Sequence, residues 1–412
     1  MDSLSDRLKS LGFKPAADVP KPKVATVPSL EDAIHGFEVI NSAGTFVRKE
    51  QLYPVHYQHG NVTLVSEIDT ERINQSARIS ATPVALERML FIDTETSGLS
   101  GGAGTFAFLI GVGFFETEGF QLQQLIIRDP SEELAMLLHL SEIINPDTIF
   151  VSFNGKSFDI PLLQNRFIIN QLPIRFRELP HVDLLHISRK LWRKSLPSCT
   201  LKELETSILR FTRSSEDVPG WMIPDIYFEY LRNRDPAKLS DVIYHNAQDI
   251  VSLAALMIHI SRLLEVDKYD NEITTNDLIA ISRVYWDLGS NDIASKILLR
   301  TRSRKLSTEQ LGTINSMLGQ YYKLRENLQE ATQYWEIAAS NGDPYSSIEL
   351  AKIFEHKRRD FQSALYWCER CLRILEQDRY RSLPASFSRD LEKRILRLKK
   401  KGTNNVQKKY QG

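Results

Sequence analysis

Cysteine is scarce in this 412-residue sequence, with only Cys199, Cys368 and Cys371 present. Three thiols cannot build a disulfide framework. Cys368 and Cys371 form a C-x-x-C, but it lies in an amphipathic helical pattern with no second pair, which argues against zinc or redox chemistry. A surplus of charge is also missing: Lys+Arg and Asp+Glu each number 52. That balance excludes a basic coat over the whole surface and leaves only local patches for binding a polyanion. No apolar run approaches the roughly 20 residues of a membrane span; the longest is FAFLIGVGFF, 106–115. The N-terminus MDSLSDRLKS is polar and charged, unlike a secretory signal. A soluble, cytoplasmic protein with no membrane partner is expected. The glycines from Gly98 to Gly104 are followed by neither Lys-Ser/Thr nor a helix, so they are neither a P-loop nor a dinucleotide fingerprint.

What is present suits two or three domains: apolar residues make up 42% of the chain, enough for real cores. Residues 1–35 read as a short N-terminal amphipathic helix (1–13) and a Pro/Lys/Ala-rich flexible linker. Residues 36–89 alternate as a small β-rich preface. Residues 90–265 interleave strands and helices in the manner of an α/β layer. Within them, short-looped strands at 90–95, 106–115 and 121–127 predict an antiparallel meander, and Ser131 is the expected N-cap of a helix over 131–144. Over 273–376 strand signals vanish and three rough copies of one pattern appear. Their aromatic and Ala anchors are Tyr285/Ala294, Tyr322/Ala331 and Phe354/Ala364. The spacing is close to the ~34-residue period of tetratricopeptide repeats, and predicts antiparallel helix pairs with a groove for a protein partner. Residues 377–412 read as a basic C-terminal helix and tail.

The chemistry is organised around LFIDTETSGL, 90–99. Asp93 and Glu95 are two apart on a strand, hence on one face. Burying two unpaired carboxylates is costly, and hard divalent cations with oxygen ligands are the natural remedy. A second acid, Asp159 in FNGKSFD, falls at a strand-to-helix junction after the strand DTIFVS. A third element, YHNAQDIVSL, places His245 and Asp249 at i and i+4 on one helix face, a face that also carries Leu253 and Leu256 toward the core. An acid on a core-facing stripe is unusual. Three elements thus each put a carboxylate where an apolar residue would be cheaper.

These three motifs resemble those of the DEDD (DnaQ-like) exonucleases of the ribonuclease H superfamily. They resemble the YprB-type ribonuclease H-like domain more closely still, in which a Gly-rich loop follows DTE and an HN-x-x-D helix closes the site. The resemblance covers 90–262. It implies an α/β fold, a five-stranded mixed sheet flanked by helices, followed here by an all-α tetratricopeptide-like domain. It implies Asp93, Glu95, Asp159 and Asp249 as metal-binding acids for two divalent cations, Mg²⁺ or Mn²⁺. It implies phosphodiester hydrolysis, probed best on single-stranded or frayed DNA or RNA, with polarity and sugar left open. His245 and Tyr244 both stand near the expected general base, and His245 is preferred because it shares a face with Asp249 and an imidazole titrates near neutrality. Around the site, Asn154 is a candidate to orient substrate or to make a turn, and Asp183 to support the site or cap a helix. Arg189 and Arg193, with Lys190 and Lys194, are candidates to hold phosphates, and Trp192 to stack a base. The competing reading is a silent nuclease fold serving as a binding scaffold.

Overall fold

The computed structural model describes residues 28–65, 68–77, 86–98, 104–173, 176–214, 217–266, 273–376 and 384–409. The expected helix at 1–13, nearly all of the linker and the middle of the glycine loop (99–103) lie outside these residues.

Seven strands form one mixed sheet: β1 (Phe37–Asn41), β2 (Gly44–Pro54), β5 (Met89–Thr96), β6 (Ala107–Glu116), β7 (Gly119–Ile126), β8 (Ile149–Ser152) and β9 (His181–Asp183). Their order is β1-β2-β7-β6-β5-β8-β9, while β3 (Gln58–His59) and β4 (Val62–Thr63) pair separately. The five strands that the resemblance implies are β5 to β9. The meander β5-β6-β7 is antiparallel, and β8 and β9 join β5 in parallel. The other two strands come from the preface, whose β2 pairs antiparallel with β7. The preface is therefore part of the main sheet.

Both faces of the sheet are covered. Phe91, Val151 and Val182 belong to one core, and Leu90, Ile92 and Phe150 to the other. This arises from the period-2 alternation of β5 and β8. The described helices of this part are α1 (Leu30–Ile34), α2 (Glu71–Ser76), α3 (Glu133–Ile143), α4 (Asp159–Ile169), α5 (Leu184–Trp192), α6 (Ile223–Asn233) and α7 (Ala237–Leu264), with a helical segment over 201–209 that ends in a π turn. Ser131 does not cap α3. It lies in a short 3₁₀ turn, Pro130–Glu132, and the cap is Asp129, whose carboxylate accepts from the Ser131 N–H. Pro130 fixes the first position of this turn, and α3 follows it from Glu133 without a side-chain cap of its own. Helix α7 alone among the described residues is long and apolar enough to cross a membrane, yet 78% of its apolar window is buried inside the protein. It is a core helix, packed on β5, β6 and β7.

That region is built of stacked helix pairs: α8 (Thr275–Asp287) with α9 (Asn291–Thr301), α10 (Thr308–Leu324) with α11 (Leu328–Ser340), and α12 (Pro344–His356) with α13 (Phe361–Leu375), then α14 (Ala385–Lys409). The anchors Ala294, Ala331 and Ala364 are fully buried, since a small side chain lets paired helices approach. The first pair is not a separate body. Leu278, Ile281, Val284 and Tyr285 belong to the same core as α7, and the Tyr285 hydroxyl donates to the Leu264 carbonyl at 2.7 Å. Cys368 and Cys371 are buried in a later cluster, where burial pushes their thiols up to about 11 and about 12. They behave as packing residues.

α14 is held by one buried acid. Glu355 accepts from Arg394 at 2.6 Å, Arg397 at 2.9 Å and Lys401 at 3.0 Å. Burial alone would raise its pKa, but the Arg397 and Lys401 hydrogen bonds outweigh it and hold the carboxyl at about 2. The unfolded value is about 4.3. The stabilisation is therefore complete above that value and is lost as pH falls toward about 2. Glu355→Gln is expected to speed amide hydrogen exchange over 385–401 at neutral pH. The wild type should match the variant only once acidified below about pH 3; equal exchange at pH 7 would remove Glu355 from this role.

Candidate metal centre

Strand β5 runs from core into acid. After Phe91, the residues on the same face are Asp93 and Glu95, both turned toward α7. A bulge at Glu95/Thr96 breaks the register with β6 and re-aims the strand end. Asp159 opens α4 and is 8% exposed. Its Oδ1 accepts from the Thr94 N–H at 3.1 Å and the Thr94 hydroxyl at 2.5 Å. Thr94, the middle residue of DTE, thus ties the second motif to the first.

Helix α7 supplies the rest. Asn246 is fully buried and donates from Nδ2 to Asp93 Oδ2 at 2.9 Å, while Gln124 donates to the Asn246 Oδ1 at 3.0 Å. Gly111, opposite Asp93 on β6, makes room for this amide; a Cβ there would overlap it. Gly111→Ala is expected to displace Asn246, release Asp93 and cost 10- to 100-fold in metal affinity, the usual range when an outer partner of a metal-site residue is lost (about 10–100-fold). Titration calorimetry with Mn²⁺ checks it, and unchanged affinity would show that the amide has no hold on the site.

Among the described residues, Glu95, His245 and Asp249 offer ligand atoms all within 4.8 Å of one another. Asp93 and Asp159 lie near enough to interact electrostatically with Glu95, and both repel one another. Burial first, then the neighbouring Asp249 and Asp159, raise the Asp93 carboxyl well above the ordinary range. Burial and then Asp93 and Asp249 do the same for Glu95. Burial lifts Asp159 to about 6, even though its Thr94 hydrogen bonds pull the other way. The carboxylates are hard oxygen donors, and their mutual repulsion is what a divalent cation would relieve, so the residues fit Mg²⁺ or Mn²⁺.

His245 Nε2 lies 3.3 Å from Asp249 Oδ2 and 4.0 Å from Glu95 Oε1. Its Nδ1 lies 2.7 Å from Asp217 Oδ1. Arg213 Nη1 also lies 3.2 Å from Nδ1; in the tautomer with the proton on Nδ1, toward Asp217, the Nε2 lone pair faces the acids. Tyr244 points elsewhere: its hydroxyl accepts from the Ser214 N–H at 3.2 Å.

A cation of the chain itself is already present. Arg213, with a side chain 5% exposed, pairs with Asp249 and grips Glu205 with Nε at 2.8 Å and Nη2 at 2.6 Å. Glu205 also accepts from Ser252 at 2.6 Å, and Ser252 in turn meets His59 at 2.9 Å. Burial would lower the Arg213 pKa, but Asp249 and Glu205 outweigh it and the guanidinium stays charged. Arg213, Glu205 and Asp217 carry no sequence signal of this kind, because a loop and a π turn meet the site only through the tertiary fold.

The flanking candidates fall differently. Asn154 takes a left-handed turn, φ 67°, and its N–H donates to Asp183 Oδ1 at 2.8 Å. Asp183 is a cap, accepting also from Leu185 N–H, and its charge reaches Asp159. Arg189 and Arg193 are exposed on α5. Trp192 is a correction: it is 2% exposed, packed in the core, with Nε1 donating to Asp277 at 3.2 Å. Its ring is closed to a base, because it continues the apolar stripe of Leu184, Ile187 and Leu191 rather than the basic face.

Compared with known proteins, residues 90–261 match a family profile described as RNase_H superfamily. The Bacillus subtilis (strain 168) "Uncharacterized protein YprB" is 31% identical over 367 residues, covering 86% of this chain and 85% of its own. The chain belongs to the YprB family. The profile match spans the positions of all four acids, Asp93, Glu95, Asp159 and Asp249. Among solved structures, a family B DNA polymerase from Pyrobaculum calidifontis aligns at TM-score 0.34 and 13% identity over 60% of this chain, which spans 30% of that polymerase. E. coli Exonuclease I in complex with a dT13 oligonucleotide aligns at TM-score 0.26 and 18% identity, over 38% of this chain and 43% of its own.

Proposed function

We propose that the chain is a metal-dependent nuclease that hydrolyses phosphodiester bonds of single-stranded or frayed nucleic acid from a strand end. The observation that supports this reading is the mutual repulsion of Asp93, Glu95, Asp159 and Asp249, carried on three elements of an RNase H-like domain, with Glu95 and Asp249 in one cluster of ligand atoms. Bound there, two divalent cations, Mg²⁺ or Mn²⁺, would stabilise the charge that develops on a phosphoryl group in displacement. The four carboxylates would hold them, with Asn246 and Thr94 fixing Asp93 and Asp159. His245 Nε2 would take the proton of the attacking water, and Asp217 would steady the imidazolium formed. Arg189 and Arg193 would bind phosphates of the strand. We read the helix pairs as tetratricopeptide-like from their Ala spacing.

The direct test is a nuclease assay with Mn²⁺ and Mg²⁺ on 5′- and 3′-labelled DNA and RNA strands. No cleavage of any strand by metal-loaded protein would sink the reading. His245→Ala is expected to lower the rate about 10²- to 10⁴-fold, the usual worth of a general base, while leaving the Mn²⁺-induced rise in melting temperature in place. Tyr244→Phe should keep most of the rate. The reverse ranking would reassign the base.

The pairing of Arg213 with Asp249 favours a second reading, a silent fold in which an internal cation replaces metal. Failure of Mn²⁺ to raise the melting temperature of the wild type would support that reading instead.

A further inference from the structure

Between α5 and the inner side of the helix pairs lies a cavity of about 520 Å³, lined among others by Lys190, Arg283, Trp286, Trp335 and Tyr345. Its cations and its carboxylates do not balance. Lys190 pairs with Asp287 at 2.9 Å, and Glu349 is taken by Lys323 and Lys352, each at 2.5 Å. Arg283 is left over. Burial lowers its pKa with no described carboxylate opposing, and it stands close enough to Lys194 to lower that ammonium as well. A half-buried guanidinium without a counter-charge, set among aromatic rings, suits a ligand that brings both anions and flat faces.

The cavity also shares Lys190 with a second one. That one, of about 490 Å³, is lined as well by Arg189, His186, Lys156 and Asp183. Asp183 is the residue whose charge reaches Asp159. A file of cations thus leads from the metal centre along α5 to the aromatic groove: Lys156, Arg189, Lys190, Arg283. Phosphates need such a file, and unpaired bases need the rings. We infer that the groove between α5 and the helix pairs carries the distal part of the substrate single strand, with Arg283 on a phosphate and Trp286 and Tyr345 stacking bases. This rests on the nuclease reading for the near end of the strand, and it gives the helical region a share in substrate binding.

The test is fluorescence anisotropy with labelled oligothymidylate and oligouridylate in EDTA. Strands of about 4 and about 20 nucleotides are used, at the lower end of and beyond the ~4–16 nucleotides that a single-strand groove covers. The wild type should bind the long strand tighter than the short one. Arg283→Gln and, separately, Tyr345→Ala should weaken the long strand about 10-fold or more, as expected for a lost stacked base (about 1–3 kcal/mol), and leave the short strand alone. Tyr345 is 52% exposed and meets the Phe387 ring at 5.3 Å, so matching melting temperatures verify that its variant keeps the fold. Equal affinity of the wild type for both lengths, or no length-selective loss in either variant, overturns the inference. So does capture of an acidic polyglutamate peptide that the variants lose while strand binding is unchanged, which would make the groove a peptide site. Hydrolysis of the short strand with Mn²⁺ is read separately: if it fails while length-dependent binding holds, the nuclease reading falls and the groove stands.

Discussion

Asp93→Asn is expected to abolish strand cleavage and to raise the melting temperature of the metal-free protein at pH 7–8. Both effects have one source. Asp93 sits with Glu95, Asp159 and Asp249 at a buried point, its carboxyl held well above the ordinary range by burial and by its neighbours. A raised acid costs stability wherever it must ionise, so the penalty is present above the folded pKa and fades as pH falls through it. Asparagine keeps the shape, can turn its oxygen to the Asn246 amide, and removes one of the repelling charges. The advantage of the variant should therefore shrink on acidification, through the region where Asp159 titrates at about 6. Metal should reverse the ranking. A ligand at about 100 times its Kd stabilises by about 2.7 kcal/mol, and the wild type should gain this with Mn²⁺ while the variant gains far less. Paired thermal melts with EDTA and with Mn²⁺, at pH 5 and pH 8, read both parts. A variant no more stable than the wild type without metal, and equally shifted with it, would show that Asp93 is not among the repelling ligands.

The second large effect concerns where the chain can be cut. Sequence composition changes near residue 270, and a boundary there looks natural. A chain ending at residue 266 is nevertheless expected to lose its cooperative fold. It would strip Leu278, Ile281, Val284, Tyr285 and Ile297 from the core shared with α7, and with them the Asp277 partner of Trp192. Burial of a large apolar side chain contributes about 1.5–3 kcal/mol, so five of them rival the whole ~5–15 kcal/mol of a typical domain. Near-UV circular dichroism and dye binding should report a loosened core. A chain ending after residue 304, which keeps α8 and α9, should melt sharply. A sharp melt of the shorter chain would mean that the shared core is incidental.

The acids were legible because each broke a local pattern. Asp93 and Glu95 interrupt a strand, Asp159 opens a helix after one, and Asp249 sits on an apolar stripe. The α/β layering and the meander β5-β6-β7 were legible through period and loop length. Trp192 was misread because Arg189, Lys190, Arg193 and Lys194 surround it in sequence, whereas the tertiary fold buries its ring in the core with Ile187 and Leu191 and ties its Nε1 to Asp277. Arg213, Glu205 and Asp217 were not legible at all. A salt bridge across 36 positions, such as Arg213 to Asp249, has no local period to betray it. The same holds for the union of β2 with β7, since strand pairing at that separation is fixed by the finished fold.

That union bears on how copies of the protein treat one another. From Val47 opposite Ile126 to Pro54 opposite Gly119, β2 takes up the free N–H and C=O groups of β7. An uncovered strand of this length is a template for any other extended chain. A polypeptide begun at residue 89, at the edge of the family-matched segment, would carry every proposed metal ligand and an open seam beside them. Two such molecules would pair through their β7 strands into a dimer, so the hairpin β1-β2 replaces that edge with the shorter β1.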